Sequence, residues 1–294
     1  MAEKQKKKRG DRKDAYRIRD LDAMHAFAPY IIPDRVANEA VCVEQIDVTE
    51  MEKYLESKNA SNPQYKYTMF HVICAALAKT LYLRPTMNTF IAGHRYYSRK
   101  DISFSFVAKK ELKDHSYEAL AIIRLDKEDK TSPIEQLHNK ICSFVHGVRK
   151  EGKTDSTTQD IEFLNKFPRP ILRFLMKILR WLDYHGKVPN FLSKDDPYYS
   201  SVFISNLGSI KMSASYHHLT NYGTNSIFVI IGEKKKRPVF NDDGTYEMRD
   251  TLELGLTIDE RIADGIYFSN SIKLMKTLIQ NPYLLDLPIG AEIK

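Results

Sequence analysis

Apolar and polar positions alternate most cleanly between Leu252 and Ile258, where Leu252, Leu254, Leu256 and Ile258 are separated by Glu253, Gly255 and Thr257. A period of two with one apolar side predicts a strand with one buried face. Beyond Gly265 the period changes. Phe268, Ile272, Met275 and Ile279 follow at helical spacing, until Asn281 and Pro282 stop the pattern. Strand and helix are joined by a short charged link, Asp259-Glu260-Arg261-Ile262-Ala263-Asp264-Gly265. Such a link displays side chains that packing does not require, so it is a candidate for chemistry.

The same rules extend along the chain. Helical spacing over Asp20–Val36 is interrupted at Pro29 and Pro33. Val41–Val48 reads as a strand, and Thr49 with Glu52 three residues on reads as a capping box opening a helix through Leu55. Thr68 caps Met69–Ala78, apolar almost all the way round and therefore a core helix; its His71 is expected to be packed and hydrogen-bonded. Strands are predicted over His94–Ser98, Ile102–Val107, Tyr117–Leu125, Ser201–Asn206 and Ser226–Gly232, with a helix over Pro133–Val148. Glu233–Arg237 reads as a basic turn and Asn241–Gly244 as a tight hairpin turn. The elements predict an α/β two-layer sandwich, a mixed β-sheet with helices on one face, formed by residues 16–294 as one domain.

Lys166–His185 stands apart. Arg169, Arg173, Lys177 and Arg180 recur as one basic stripe, while Ile171, Phe174, Met176, Ile178 and Trp181 belong to a broad apolar face. Too short and too charged to span a bilayer, this helix could lie on one through residues 169–182. The favoured expectation is that its apolar face packs against the body or another subunit.

Composition narrows the picture. Of the 294 residues 43% are hydrophobic, ample for a core. The formal charge of +7 is concentrated in the first 19 residues, where nine Lys/Arg face three Asp/Glu, so residues 1–15 are expected to be a disordered basic tail and nucleic acid is not an expected partner. Cys42, Cys74 and Cys142 lack metal-site or disulfide spacing, and no metal is expected. No apolar run reaches the ~18 residues of a membrane span, and no secretory signal is visible. A cytoplasmic setting is the expectation.

The link with its flanking strand and helix resembles the active-site segment of the chloramphenicol acetyltransferase-like superfamily, which includes the catalytic domain of the 2-oxoacid dehydrogenase acyltransferases. That motif is H-x-x-x-D-G, usually within D-H-R-x-x-D-G. Here Asp259, Arg261, Asp264 and Gly265 are kept, and Glu260 stands where the family has its catalytic histidine. Further matches come in order: Ile46-Asp47-Val48-Thr49, Arg84-Pro85 with Asn88, and Ile204-Ser205-Asn206-Leu207-Gly208, against the family's T-I-S-N-L-G. Together they cover roughly residues 24–282.

The resemblance implies an acyl-CoA-dependent acyltransferase, with coenzyme A thioester as substrate and a thiol, hydroxyl or amine as acceptor. It implies a homotrimer, or a multiple of trimers, with active sites at subunit interfaces, so that Glu260 of one chain would meet Ser205 of the next. Ser205 matches the oxyanion-stabilising serine, Asp264 the aspartate that anchors the site by pairing with an arginine, and Arg35 and Arg261 are candidate partners. Asp259, Asn206 and Gly265 support them. No lipoyl-type domain is recognisable.

The base is the point of departure. A carboxylate is a weaker base than an imidazole by about 2 pKa units, unless burial beside Asp259 and Asp264 raises it. Imidazole from another direction is available at His217 and His218, which stand as alternative bases. Two further readings stay open: a catalytically silent trimer that binds coenzyme A or a partner, and a membrane-surface protein.

Overall fold

The computed structural model describes residues 8–111, 113, 114, 116, 118–151 and 164–293. The larger sheet has seven strands: β2 (Glu39–Asp47), β5 (Ile102–Lys109), β6 (Glu118–Leu125), β7 (Val202–Asn206), β8 (Ile227–Ile231), β9 (Lys235–Phe240) and β10 (Tyr246–Asp259). Their order is β2-β10-β8-β7-β5-β6, with β9 also on β10. β7 runs parallel to β5 and β8, and the remaining pairs are antiparallel, so the sheet is mixed.

One face of this sheet carries the helices. α2 (Thr49–Asn59), α3 (Met69–Leu83), α4 (Pro133–Glu151) and α6 (Gly265–Gln280) close over it. Leu252, Leu254, Leu256 and Ile258 of β10 are all buried in that interface, each contributing about 1.5–3 kcal/mol by leaving water. α3 is buried along almost its whole length, as its all-round apolar composition requires. The opposite face carries a smaller cluster of Leu219, Phe228 and Ile230 with Phe203 packed against it.

Several expectations are corrected. The expected strand at residues 94–98 is β4 (Arg95–Arg99), and it does not join the main sheet. It forms a separate three-stranded sheet with β3 (Thr89–Ala92) and β1 (Ala15–Arg17). The expected tail is therefore ordered where it is described. Arg12 is buried, its guanidinium bonds Asp14 and Asp183, and its cation lies over the rings of Phe90 and Tyr97. Those aromatic and anionic partners come from distant sequence, which is why composition alone suggested disorder; residues 1–7 lie outside the described range. At the start of α2, Asp47 rather than Thr49 supplies the acceptor, taking the Thr49 N–H at 2.9 Å. The basic turn at 233–237 is mostly β9, drawn into the sheet by the extended N-terminal half of β10.

α1 (Ala23–Ile31) contains Pro29 without breaking there, and α5 (Arg169–Tyr184) has no buried residue. The apolar face of α5 does not pack on the body of its own protomer: Phe174 and Trp181 are 63% and 57% exposed. The helix is held at its C-terminal end, where Asp183 takes Arg12 and the Tyr184 carbonyl lies against Gly93, leaving no room for a side chain there.

Two motif glycines follow from packing. A Cβ at Gly208 would sit 2.4 Å from the Gly232 carbonyl oxygen, and one at Gly232 would sit 2.4 Å from the Ala214 nitrogen. The turn after β7 and the end of β8 approach too closely for any side chain.

Candidate active site

The charged link is a single 3-10 turn, Glu260–Ile262, between β10 and α6. Asp259, the last residue of the strand, is fully buried. Its Oδ1 accepts from Arg261 Nε at 2.8 Å and its Oδ2 from Arg261 Nη2 at 2.7 Å, a bidentate pair, while Arg35 Nε lies 3.6 Å from Oδ2. Both guanidinium groups spend their remaining donors on backbone carbonyls: Arg261 on Ile32 and Pro33, Arg35 on Thr220, Gly223 and Ile91. The arginine-paired aspartate expected at Asp264 is thus Asp259. Asp264 is exposed and caps α6, its Oδ1 accepting the Tyr267 N–H at 2.8 Å. Gly265 starts that helix, with open space where a Cβ would be.

Glu260 projects from the turn and is exposed, so the burial beside Asp259 and Asp264 that would strengthen it as a base is not supplied within one protomer. Ser205 is elsewhere. It pairs with Ile230 of β8, which pairs with Gly255 of β10, five residues before Glu260. Two strand spacings across and five residues along put Ser205 and Glu260 roughly 15–20 Å apart in the same chain.

Ser205 lies in a cleft of about 840 Å³. The pairing of β5 with β7 stops at Phe106↔Ile204, and the cleft opens where the two strands part. Phe70, His71, Phe106, Cys142 and Val145 form the wall from the helix side; Phe203, Ser205, His217, His218 and Phe228 form the other. Lys66, Lys109, Arg149 and Lys150 also line it. Among the described residues the Ser205 hydroxyl has no hydrogen-bond partner. Asn206 holds the turn that follows, its Oδ1 accepting from the Ser209 amide at 3.2 Å.

The histidines of the cleft differ in what their ring nitrogens can do. His71 Nδ1 accepts the Thr68 N–H at 3.0 Å, so the neutral ring carries its proton on Nε2, which points at Cys142 Sγ 3.7 Å away. Burial and neighbouring His138 hold its pKa down to about 4. Burial pushes the Cys142 thiol up, leaving it protonated. This side of the cleft therefore offers neither a base nor a thiolate, and His71 is packed as expected. His217 and His218 present the opposite tautomer: each Nδ1 lies 2.9 Å from a backbone carbonyl, of His218 and Leu219, and can only donate to it. Their Nε2 atoms keep a lone pair. No cluster of three or more metal-ligating side chains occurs among the described residues.

The cleft's aromatic wall escaped sequence reasoning. Phe203 and Ser205 share a strand face by their spacing of two, which was legible; that Phe228 would lie opposite Phe203 and carry His217 depended on the parallel pairing of β7 and β8.

The arrangement of sheet and helices is shared with chloramphenicol acetyltransferase. A chloramphenicol acetyltransferase structure aligns with a TM-score of 0.53 at 10% identity, covering 90% of this chain and 99% of that one. Residues 189–287 match the model described as 2-oxoacid dehydrogenases acyltransferase (catalytic domain). The chain is 24% identical over 240 residues to the lipoamide acyltransferase component of the branched-chain alpha-keto acid dehydrogenase complex of Bacillus subtilis, covering 81% of this chain but 45% of that protein's length. A probable dihydrolipoamide acetyltransferase from Listeria monocytogenes aligns with a TM-score of 0.58 at 17% identity, over 95% of this chain and 98% of the other. The cubic core of a pyruvate dehydrogenase multienzyme complex aligns at 0.59 with 15% identity, over 91% and 93%.

Proposed function

We propose that the protein transfers an acyl group from an acyl-CoA thioester to a thiol, hydroxyl or amine acceptor within the Ser205 cleft. The observation that carries this reading is the Ser205 hydroxyl, without a hydrogen-bond partner among the described residues, at the wall of the cleft beside Phe203 and Phe228, where it can donate to the oxyanion of a tetrahedral intermediate. Lys66, Arg149 and Lys150 suit the phosphates of coenzyme A, while Lys109 is paired with Glu118 at 3.1 Å. A homotrimer, by analogy with the family, would bring the exposed Glu260 of one protomer toward the Ser205 cleft of its neighbour; Asp259 with Arg35 and Arg261 would fix the turn that presents it.

Coenzyme A release from a panel of acyl-CoAs, with and without acceptors, tests the activity. Ser205→Ala should lower kcat on the order of 100-fold. A rate unchanged by that substitution removes Ser205 from the reaction. Binding of coenzyme A with no release from any acyl-CoA would favour a silent trimer instead.

A second reading concerns α5. Its exposed apolar face beside Arg169, Arg173, Lys177 and Arg180 fits an anionic bilayer surface. Co-sedimentation with phosphatidylserine vesicles, lost when those four cations are replaced by glutamine, is its signature; no co-sedimentation at low salt excludes it.

A further inference from the structure

We propose that the proton acceptor of the transfer is the imidazole of His217, in the same protomer and the same cleft as Ser205, in place of the carboxylate at position 260. The inference rests on the acyl-transfer reading and names the base for it.

Three observations converge on this ring. Its tautomer is fixed: Nδ1 donates to the His218 carbonyl oxygen at 2.9 Å, so the lone pair is on Nε2. Its position is fixed as well. The ring stacks on Phe228 with centroids 4.2 Å apart and planes within 8°, and Phe228 in turn stacks on Phe203 at 4.9 Å. The third observation is the sheet register. Phe203 and Phe228 are partners across β7 and β8, and Ser205 lies two residues beyond Phe203 on the same face, roughly 7 Å along the strand. The stack holds the imidazole on the side of Phe228 away from Phe203, and His217 and Ser205 line the same cleft.

Within the protomer the competing groups are each less well placed. His71 has its lone pair committed to the Thr68 amide. Glu260 of the same chain is remote from Ser205, and the Glu260→Gln variant below tests the carboxylate of a neighbouring protomer. His218 has the same tautomer, but its ring is tilted 38° against His217 rather than stacked flat on an aromatic side chain of the sheet as His217 is.

In the step that follows, the acceptor X–H gives its proton to His217 Nε2 as the X–C bond forms at the thioester carbonyl. The carbonyl electron pair moves to oxygen, where Ser205 Oγ–H donates to it. Collapse of the intermediate breaks the C–S bond, and the leaving sulfur takes the proton back from Nε2. No other reactant is needed.

Two measurements test this. Bromoacetyl-CoA places an alkylating carbon where the acyl group sits; Nε2 would displace bromide to form an N–C bond. Peptide mass spectrometry should find the adduct on His217, with free coenzyme A protecting. In turnover, His217→Gln should lower kcat by a factor of about 10²–10⁴, keep KM for acyl-CoA within about threefold, and abolish the acid limb of the pH–rate profile. Because His217 is exposed, the variant should fold normally, checked by its melting curve.

Wild-type turnover with His217→Gln equally active overturns the inference and leaves acyl transfer standing. So does an adduct confined to Cys142, or a loss found only in Glu260→Gln or His218→Gln. Absence of turnover with coenzyme A-protected labelling of His217 removes the activity and supports the ring's place beside the thioester. Neither turnover nor labelling removes both.

Discussion

Asp259 sits between two guanidinium groups with no exposed surface, so its charge rather than its shape is what the neighbourhood depends on. Asp259→Asn keeps the shape and removes the anion, leaving Arg35 and Arg261 buried without a counter-charge, and should cost about 3–5 kcal/mol in denaturant-midpoint stability. A loss under about 1 kcal/mol would contradict the ion pair. His71 gives a pH prediction. Its folded pKa of about 4 lies below the ordinary ~6.5, so the unfolded chain binds the proton more tightly. The stability tied to the neutral ring is complete above about pH 6.5 and is lost as pH falls toward 4, on the order of 2–3 kcal/mol. In His71→Gln, which keeps an acceptor at the third helical position, thermal unfolding should lose that component of the acid dependence. Equal slopes for both proteins between pH 6.5 and 4 would exclude a buried neutral His71. The sequence identified the two aspartates of the link as candidates, five residues apart, but not which one would meet arginine. That depends on where Arg35, more than two hundred residues earlier, is delivered.

At the scale of elements, β10, α3 and α6 were legible because each buries one face or all of itself, and burial leaves a period in the sequence. The first strand was not. β1 is three residues long, and it is ordered by pairing with β4 and by the Arg12 contacts to Asp183, Phe90 and Tyr97, none of them local. α5 shows the reverse failure: its amphipathic pattern was legible, yet its apolar face covers nothing in the protomer. If that face is free in solution, Phe174→Ser and Trp181→Ser should each change unfolding stability by no more than about 0.5 kcal/mol. A fall above about 2 kcal/mol would mean that the face is covered, and a matching change in sedimentation would identify a second copy as the cover.

At the scale of the whole molecule, the proposed trimer predicts a sedimentation-equilibrium mass three times that of the protomer, or a multiple of three; a monomer at assay concentrations would remove any route for Glu260 to reach a neighbour's Ser205. No helix among the described residues is long and apolar enough to cross a membrane. The sequence by itself determined the strands and helices of the main layer, the resemblance of its ordered motifs, and the presence of a glutamate where the family has histidine, because each of these is written in local period or residue identity. Only the tertiary structure decided that Asp259 carries the ion pair, that Ser205 and His217 share a cleft from which Glu260 of the same chain is absent, and which histidines hold a free lone pair. Those outcomes depend on strand register and on which distant backbone carbonyl or amide meets a ring nitrogen, and neither is encoded by any short run of residues.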